Sequence, residues 1–430
     1  MLKKIYNIKV LEIFILLQPI IDIITSVMIN EFNLDISLGM IVRFAFLFYA
    51  LVYIVKNKDK KIMIYLAIWL LYLGINLIGN FIIKDNFNII TQAILLIKMI
   101  YFPLILLFFV LYFKNNKELD NKVFINVSLL VGLSLVVSYL TKTAYCSYEN
   151  YDNCYTKGVV AWFNSANEYG LILIALLGFT INGFIKKASL KNEIALYLII
   201  IFLCMLGTKA SYVGVVGVTS LYVIYYLISC YFDKKKFAYF RKVFVLIITI
   251  FVVAICTSKL PISTNLSSNY DRAVENAKIE GKSDDELEKD VQENLLFNGR
   301  EDFININLNM YKNSPLFSKL FGLTTQGNYY EGLEYSRIIE RDFHDLIIFY
   351  GVIGFIVEML LPVYLLIQVF KRIFKDFKVL LKDENMIYTI VITMILFASF
   401  IAGHCLFQPA VSIYLAYLVA LFCKKIEVLK

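Results

Sequence analysis

One histidine lies where a polar segment becomes a run of apolar residues, in the stretch RDFHDLIIFYGVIGF, 341–355. The dipole of a helix beginning here disfavours the charged imidazolium of His344, so the ring stays neutral and can accept a proton. The free backbone N–H groups of that helix end can also bind an anion. The alternative is that Asp342 caps the helix and His344 is a polar interface residue. The second histidine, His404 in AGHCLFQP, is expected in a turn or an interface.

Five cations fall in segments that the topology below places on the same side of a membrane: Lys209, Arg272, Arg300, Arg337 and Arg341. Guanidinium groups bind phosphate through two hydrogen bonds, whereas an ammonium binds it as a point charge. Several such groups at one membrane surface would suit a lipid-linked phosphate or pyrophosphate. Alternatively, each one is a solvated partner of a nearby acid.

Ionisable residues also occur within apolar runs, where they are costly and therefore candidates for function. They are Asp22, Arg43, Lys98, Glu168 and Glu358. For Lys98 and Glu358 we expect snorkelling or pairing with a neighbour. Arg43 lies close enough to the outward end of its run to face an external cavity, although structural pairing is an equal alternative.

Several classes of chemistry are not indicated. The sequence has no nucleotide-binding loop, no metal-ligand cluster and no Ser-His-Asp arrangement, and its outward segments carry no DxD motif. We therefore expect no cofactor or metal, and the energy for any synthesis outside the cell would come from a preactivated, lipid-linked donor.

These residues must be positioned by membrane helices. The 430 residues are 60% hydrophobic and 18% charged, and the mean hydropathy is +0.70, which predicts an all-α polytopic membrane protein. We count about twelve transmembrane helices, of which the boundary at Gly207–Thr208 is the least distinct. The predicted spans are 11–29, 36–55, 62–83, 89–113, 123–141, 159–182, 194–208, 210–231, 242–258, 345–370, 386–403 and 406–423.

Lys and Arg concentrate in alternate connections between these spans, beginning with the N-terminal segment. The positive-inside rule then places both termini in the cytoplasm of a multi-pass protein in the cell membrane. The net charge of +8 is mostly this topology signal, and it indicates no nucleic-acid partner. The first apolar run is predicted to be a span because it lacks a small-residue cleavage site.

Two of the seven cysteines, Cys146 and Cys154, flank SYENYDN in an outward connection, where the compartment permits a disulfide. Two unpaired thiols are the alternative. The other five lie in or beside predicted spans, where cysteine usually acts as a small hydrophobic residue.

One outward connection is long. Residues 259–344 form an extracytoplasmic loop between a bundle of nine helices, 1–258, and three C-terminal helices, 345–430. Within the loop, an amphipathic helix is predicted from near Gly299 to Asn313, and this half of the loop is expected to pack as a lid.

Four stretches, in this order, resemble the O-antigen ligase and polysaccharide polymerase family of bacterial membrane proteins. They are WFNSANEYG (162–170), LGTKASYVG (206–214), NGREDF…YKNSPLFSKLFG (298–322) and FHDLIIFYGVIGF (343–355). The large outward loop before the last helices is similar too. The resemblance covers mainly residues 160–370.

The resemblance implies an all-helical, GT-C-like glycosyltransferase at the outer face of the cytoplasmic membrane. It would move a glycan from undecaprenyl pyrophosphate onto an acceptor sugar without a metal ion. Arg300 would contact the pyrophosphate, and His344 would orient or deprotonate the acceptor hydroxyl. Lys209 stands where the family usually has Arg, so it keeps the charge and loses the bidentate fork. Asp345 stands where Asn is usual, and it either raises the basicity of His344 or repels the phosphates.

The predicted function is polymerisation of undecaprenyl-pyrophosphate-linked repeat units in the synthesis of a capsular, exopolysaccharide or O-antigen-like glycan. Arg341 and Arg43 are further candidates for pyrophosphate binding. The alternatives are a ligase of the same family, acting on a lipid or wall acceptor, and a flippase of the lipid-linked oligosaccharide. The expected partners are the lipid-linked donor, the glycan acceptor, the bilayer and other polysaccharide assembly proteins.

Overall fold

A computed structural model describes residues 6–34, 37–85, 87–148, 154–232, 240–279, 300–325 and 338–429. Within these ranges the chain is helical, apart from connections and isolated β-bridge residues, such as the pair Cys146 and Val159. The helices are α1 (Ile8–Asn30), α2 (Leu38–Lys56), α3 (Lys60–Ile83), α4 (Ile89–Asn115), α5 (Asn121–Leu140), α6 (Cys154–Lys157), α7 (Ala166–Lys186), α8 (Leu190–Met205), α9 (Lys209–Phe232), α10 (Phe240–Cys256), α11 (Pro261–Ile279), α12 (Arg300–Asn313), α13 (Leu316–Phe321), α14 (Asp342–Lys375), α15 (Asp383–Ala402) and α16 (Pro409–Lys425). Two single 3₁₀ turns, Thr257–Lys259 and Phe377–Val379, complete them.

Ten of the described helices are long and apolar enough to cross a membrane. Every predicted span corresponds to a helix, but α8 and α16 have only 16 and 17 residues. At about 1.5 Å per residue these two are shorter than a typical bilayer core. The all-helical membrane fold is therefore confirmed, and the count of twelve spans stays a prediction.

Polar residues begin several of these helices. The side chain of Ser37 accepts a hydrogen bond from the backbone N–H of Met40, and Asp59, Asn88 and Asp120 cap α3, α4 and α5 in the same way. Such caps satisfy N–H groups that the helix itself leaves unpaired. They explain why the helices begin just after the polar clusters of the sequence.

The core is built around α7, which is buried along almost its whole length and packs against α5, α8, α9, α15 and α16. Aromatic rings fill it: Phe124 stacks on Phe179 at 3.8 Å between centroids, and Tyr417 meets Phe109 edge-on at 5.3 Å. By contrast, α3 exposes large apolar side chains such as Leu70, Leu71 and Ile82. Such a surface is suited to contact with lipid.

The apolar stretch at residues 159–163 was predicted to begin a span, and this is wrong. The backbone N–H of Val160 donates to the carbonyl of Tyr145 at 3.0 Å, and the N–H of Tyr145 donates to Ala161 at 2.6 Å. The segment is therefore paired with Tyr145 and then turns at Ala161, where φ is 55°, and α7 begins only after Ser165, whose hydroxyl accepts from the N–H of Glu168. The apolar run reflects burial rather than helix.

The predicted break between α8 and α9 is confirmed. Gly207 has a φ of +67°, and its backbone lies against the carbonyl of Lys157, so there is no room for a side chain. Thr208 then accepts a hydrogen bond from the N–H of Ser211 and begins α9 at Lys209. The amphipathic helix predicted from near Gly299 to Asn313 is also present, as α12.

The helix α14 is broken at Gly351, where φ is 77° and ψ is 171°. The break exposes backbone carbonyls that a continuous helix would use internally. Ile348 and Phe349 accept hydrogen bonds from the N–H groups of Leu323 and Thr324 at 2.9 and 3.1 Å. The segment after α13 is thereby fixed against the break, and α13 packs on α14 and α3.

Candidate functional site

Two ion pairs join the start of α12 to the start of α14. Arg300 Nη2 lies 2.8 Å from Glu340 Oε2, and Arg341 Nη2 lies 2.8 Å from Glu301 Oε1. The arginine side chains are only 10% and 6% exposed. Arg300 and Glu301 are neighbours in the sequence, as are Glu340 and Arg341, and each of these neighbouring pairs supplies one cation and one acid to the two bridges. Together the two bridges fix how α12 lies over α14.

Glu340 is the centre of the charged network. Its carboxylate lies 3.7 Å from His404 Nε2 in addition to its bond with Arg300. The His404 side chain and then the Arg300 guanidinium lower the pKa of Glu340 to about 2, although burial opposes this. Burial alone would lower the pKa of His404, but the carboxylates of Glu340, Glu168 and Asp342 raise it. The contact between Glu340 and His404 thus favours the carboxylate of the first and the imidazolium of the second.

Two buried acids hold this pair in place. The carboxylate of Asp345 accepts hydrogen bonds from the N–H groups of Ile339 and Arg341, at 2.9 and 3.1 Å, on either side of Glu340. Glu340 itself has a φ of 62°, an uncommon backbone conformation for a residue with a side chain. Asp345 thus serves to position Glu340, a role outside the two considered from the sequence.

Asp342 was considered as the helix cap, and this is wrong. The N-cap position is Arg341, with no capping side-chain bond. Asp342 Oδ2 instead accepts from Ser399 Oγ at 2.6 Å and from the N–H groups of Cys405 and Leu406 at 2.9 and 3.0 Å. It therefore fixes the turn that carries His404.

A cavity of about 510 Å³ lies between α7, α9, α11, α12 and α15. Lys209 and Arg300 line it, and Arg300 affects Lys209 electrostatically. Most of the remaining lining is apolar: Ile174, Val213, Ile262, Leu266, Met394, Phe397 and Ile401. We call this the larger cavity. It combines two cations with walls suited to hydrocarbon, so it fits an anionic head group attached to a lipid chain.

His344 lies in the first turn of α14, half-buried, with its ring 5.8 Å from that of Phe400. Arg341 and Glu301 are its charged neighbours. Its Nδ1 atom is buried and has no hydrogen-bond partner among the described residues. The ring is thus able to accept a bond from a ligand, but it does not line the larger cavity.

A second cavity, of about 270 Å³, lies beside Glu340 and the first turns of α14. We call it the smaller cavity. Its polar lining includes Lys98, Glu340, His404 and Gln408. Tyr350 and Phe407 contribute aromatic rings that stack at 5.2 Å between centroids.

Arg43 is buried and ion-paired with Asp22, and it does not line either cavity. Glu168 connects this pair with the site, because it interacts electrostatically with His404, Arg43 and Lys98. Sequence reasoning named Arg43 as a pyrophosphate contact, and the structure instead favours its structural alternative.

Two of the remaining candidates, Arg272 and Glu358, line neither cavity. Arg272 is exposed on α11, and Arg337 falls outside the described residues. Glu358 is fully buried in α14, so the snorkelling considered for it is wrong; neither carboxylate oxygen has a hydrogen-bond partner in the described part of the chain.

Cys146 is disulfide-bonded. The side chain of Cys154 falls outside the described residues, so the pairing of these two remains a prediction. Among the described residues, no group of three or more His, Cys, Asp or Glu side chains is placed to hold a metal ion.

Sequence reasoning missed Glu340 and Glu301. Both stand in polar segments among other charges, where an acid is usually solvated, and their partners lie 40 residues away in the sequence. No local spacing rule could have found them. The positive φ of Glu340 would have been a clue, but a sequence does not reveal that a glutamate adopts this backbone conformation.

A model of the family described as O-antigen ligase like membrane protein matches residues 4–428, nearly the whole chain. Searches of curated proteins and of solved structures gave no match. The chain therefore belongs to the O-antigen ligase-like family of membrane proteins, which implies a glycosyltransferase-type enzyme acting on lipid-linked glycans.

Proposed function

Proceeding from this family membership, we propose that the chain is a polymerase of glycan repeat units carried on undecaprenyl pyrophosphate. It would transfer the growing glycan from its lipid carrier onto the sugar of another lipid-linked unit. The reaction would occur at the outer face of the cytoplasmic membrane, with both termini of the protein in the cytoplasm.

The observation that supports this proposal most directly is the larger cavity. A lipid-linked pyrophosphate carries two phosphates at the end of a long hydrocarbon chain. Lys209 and Arg300 can neutralise the phosphates while the apolar walls contact the first prenyl units. Stabilising the charge on the leaving pyrophosphate is the main requirement of such a transfer.

His344 is proposed as the group that orients or deprotonates the acceptor hydroxyl. Its half-buried ring, with Nδ1 left without a partner among the described residues, supports this role. Arg341 is proposed to act indirectly, because Glu301 already occupies its guanidinium. A positioned histidine base contributes about 10²–10⁴-fold to such a rate.

A ligase of the same family remains the second candidate, because the matched family takes its description from ligation. A ligase would pass the finished glycan to a different acceptor while using the same donor site. A flippase is disfavoured because Arg43, which would have lined an open route, is buried against Asp22.

The experiment is to delete the gene and supply wild-type, His344→Ala or Arg300→Ala copies, then examine the glycan on gels. Single repeat units accumulating on the lipid in the variants support polymerase. Long lipid-linked chains indicate ligase, and loss of outward-facing lipid-linked units indicates flippase. Wild-type glycan from both variants would contradict the site assignment.

A further inference from the structure

The two cavities meet at one ion pair. Arg300 lines the larger cavity, and Glu340, whose carboxylate lies 2.8 Å from the Arg300 guanidinium, lines the smaller one. Any ligand that takes the Arg300 guanidinium in the larger cavity must compete with Glu340. Occupancy of one cavity is therefore linked to the charge that faces the other.

The smaller cavity has the chemistry of a sugar site. Sugar rings offer several hydroxyls and apolar C–H faces, so they are bound by polar side chains together with aromatic rings. Here Lys98 and Gln408 supply donors, Glu340 supplies an acceptor, and Tyr350 supplies an aromatic ring. At about 270 Å³ the space lies just below the range of roughly 300–1,000 Å³ typical of pockets for small-molecule ligands.

The acids that surround this cavity are not all available to a ligand. Asp342 and Asp345 line it, but Oδ2 of Asp342 and both oxygens of Asp345 bind backbone N–H groups of the turns that carry His404 and Glu340. Glu340 is held by side-chain contacts, with Arg300 and His404. Glu340 is thus the carboxylate whose change of partner leaves these backbone bonds intact.

We propose that the smaller cavity binds a sugar of the acceptor glycan other than the one that His344 activates, because His344 does not line this cavity, and that Glu340 accepts a hydrogen bond from this sugar once donor pyrophosphate has drawn Arg300 away. This inference rests on the proposed function and adds an acceptor site and an order of events. Donor binding releases Glu340 toward the acceptor cavity, so the acceptor is held well only when a donor is present.

The first test measures binding of undecaprenyl pyrophosphate, without a glycan, to the purified full-length protein. Glu340→Gln removes the competitor for Arg300, so affinity should rise about fivefold or more. Glu301→Gln is the matched control, because it removes the neighbouring ion pair with Arg341 and lies outside both cavities. Its affinity for the lipid should match that of wild type.

The outcomes separate this inference from the proposed function. If the wild type does not bind the lipid, or binds it as well as Arg300→Ala does, the proposed function fails. If the wild type binds through Arg300 but Glu340→Gln behaves like Glu301→Gln, the proposed coupling is overturned while the proposed function stands.

The second test fills each cavity in turn and does not depend on how Glu340→Gln folds. Gln408→Trp in the smaller cavity should abolish glycan assembly in the deletion strain while leaving undecaprenyl pyrophosphate affinity within about twofold of wild type. Val213→Trp in the larger cavity should lose affinity for the lipid. Normal glycan with Gln408→Trp, or loss of lipid binding in that variant, would overturn the acceptor assignment.

Discussion

At the scale of single residues, the site depends on carboxyl groups that are held by backbone N–H groups. Asp345 accepts from the N–H groups of Ile339 and Arg341, and Asp342 accepts from those of Cys405 and Leu406 and from the Ser399 hydroxyl. These bonds fix the turns that carry Glu340 and His404, so the contact between those two side chains is presented in one geometry.

The role of Asp342 can be tested by thermal unfolding in detergent. Asp342→Ala leaves two backbone N–H groups and a hydroxyl buried without an acceptor, so we expect a loss of about 3 kcal/mol. Asp376→Ala, which removes an exposed helix cap at Lys378, is the control and should cost about 1 kcal/mol. Equal losses would contradict the structural role of Asp342.

A second prediction at this scale concerns transfer by His344. His344→Asn should lower the rate of glycan transfer about 10²–10⁴-fold and leave affinity for undecaprenyl pyrophosphate unchanged, because His344 does not line the larger cavity. Arg300→Ala should reduce both. A parallel fall of both quantities in His344→Asn would place the histidine in the donor site instead.

A third prediction concerns pH. The pKa of His404 is raised in the folded protein, so its contribution to stability is full below its unfolded value and is lost as pH rises through the folded value. Glu340, with a pKa lowered to about 2, contributes above its unfolded value and loses this as pH falls toward 2.

The melting temperature of the wild type should therefore fall from about pH 6 to about pH 8 relative to His404→Gln. The charged groups facing His404 are Glu340, Glu168 and Asp342, and each of them raises the pKa of His404. Parallel curves for the two proteins would show that His404 gains no proton affinity on folding.

The sequence predicted the cations of the site better than its acids. Lys209 and Arg300 were selected because phosphate chemistry needs positive charge, and the structure brings them to one cavity. Glu340 could not be selected, because its function depends on partners from α12 and from the turn before α16. Such pairings are set by packing between distant segments.

At the scale of elements, the break in α14 determines how the segment after α12 is attached. Gly322 and Gly351 approach so closely that a side chain on either would meet the backbone of the other segment. Asn76 of α3 adds a hydrogen bond to the carbonyl of Phe321, at 2.5 Å. Lys84, which follows α3, donates from its buried side-chain nitrogen to the carbonyl of Leu323 and the hydroxyl of Thr324, both beyond α13. Burial lowers the pKa of Lys84 to about 7.

Gly351→Ala tests this attachment. The new Cβ would meet Gly322 N and Leu320 O at 2.4 Å in a backbone conformation that side chains rarely adopt, so we expect a loss of more than about 2 kcal/mol. Hydrogen exchange should increase in residues 316–324. Gly74→Ala in α3 is the control, because nothing lies within 4 Å of its Cβ, and it should be neutral or slightly stabilising.

Helices were predictable from hydropathy because lipid imposes long apolar runs. The exceptions have physical causes. Residues 159–163 are apolar because most of them are buried, yet their backbone pairs with Tyr145 and turns at Ala161 instead of forming a helix. The break at Gly351 lies within a continuous apolar run, where one glycine gives no reliable sign of a kink.

At the scale of the whole molecule, the number of spans decides which side of the membrane carries the site. The two short helices α8 and α16 are the elements in question. If α8 crosses, the connection that holds α11 and α12 lies outside, together with both cavities.

Labelling of introduced cysteines tests this topology in intact cells, in a background where the exposed Cys256 is replaced by Ser. With twelve spans, a membrane-impermeable maleimide should label Phe32→Cys and Ile279→Cys, which are exposed positions, but not Lys187→Cys. Protection of Ile279→Cys while Phe32→Cys reacts and Lys187→Cys stays unlabelled would show that α8 does not cross.

The contact between Gly322 and Gly351 has a consequence for how substitutions combine. Each glycine is needed because the other segment lies against it and because its own φ is positive, and the close approach is one interaction that the two positions share. Once alanine at either position has separated the segments, alanine at the second should cost only the strain of its own backbone conformation. The double variant should therefore lose less free energy of unfolding than the sum of the losses in the two single variants.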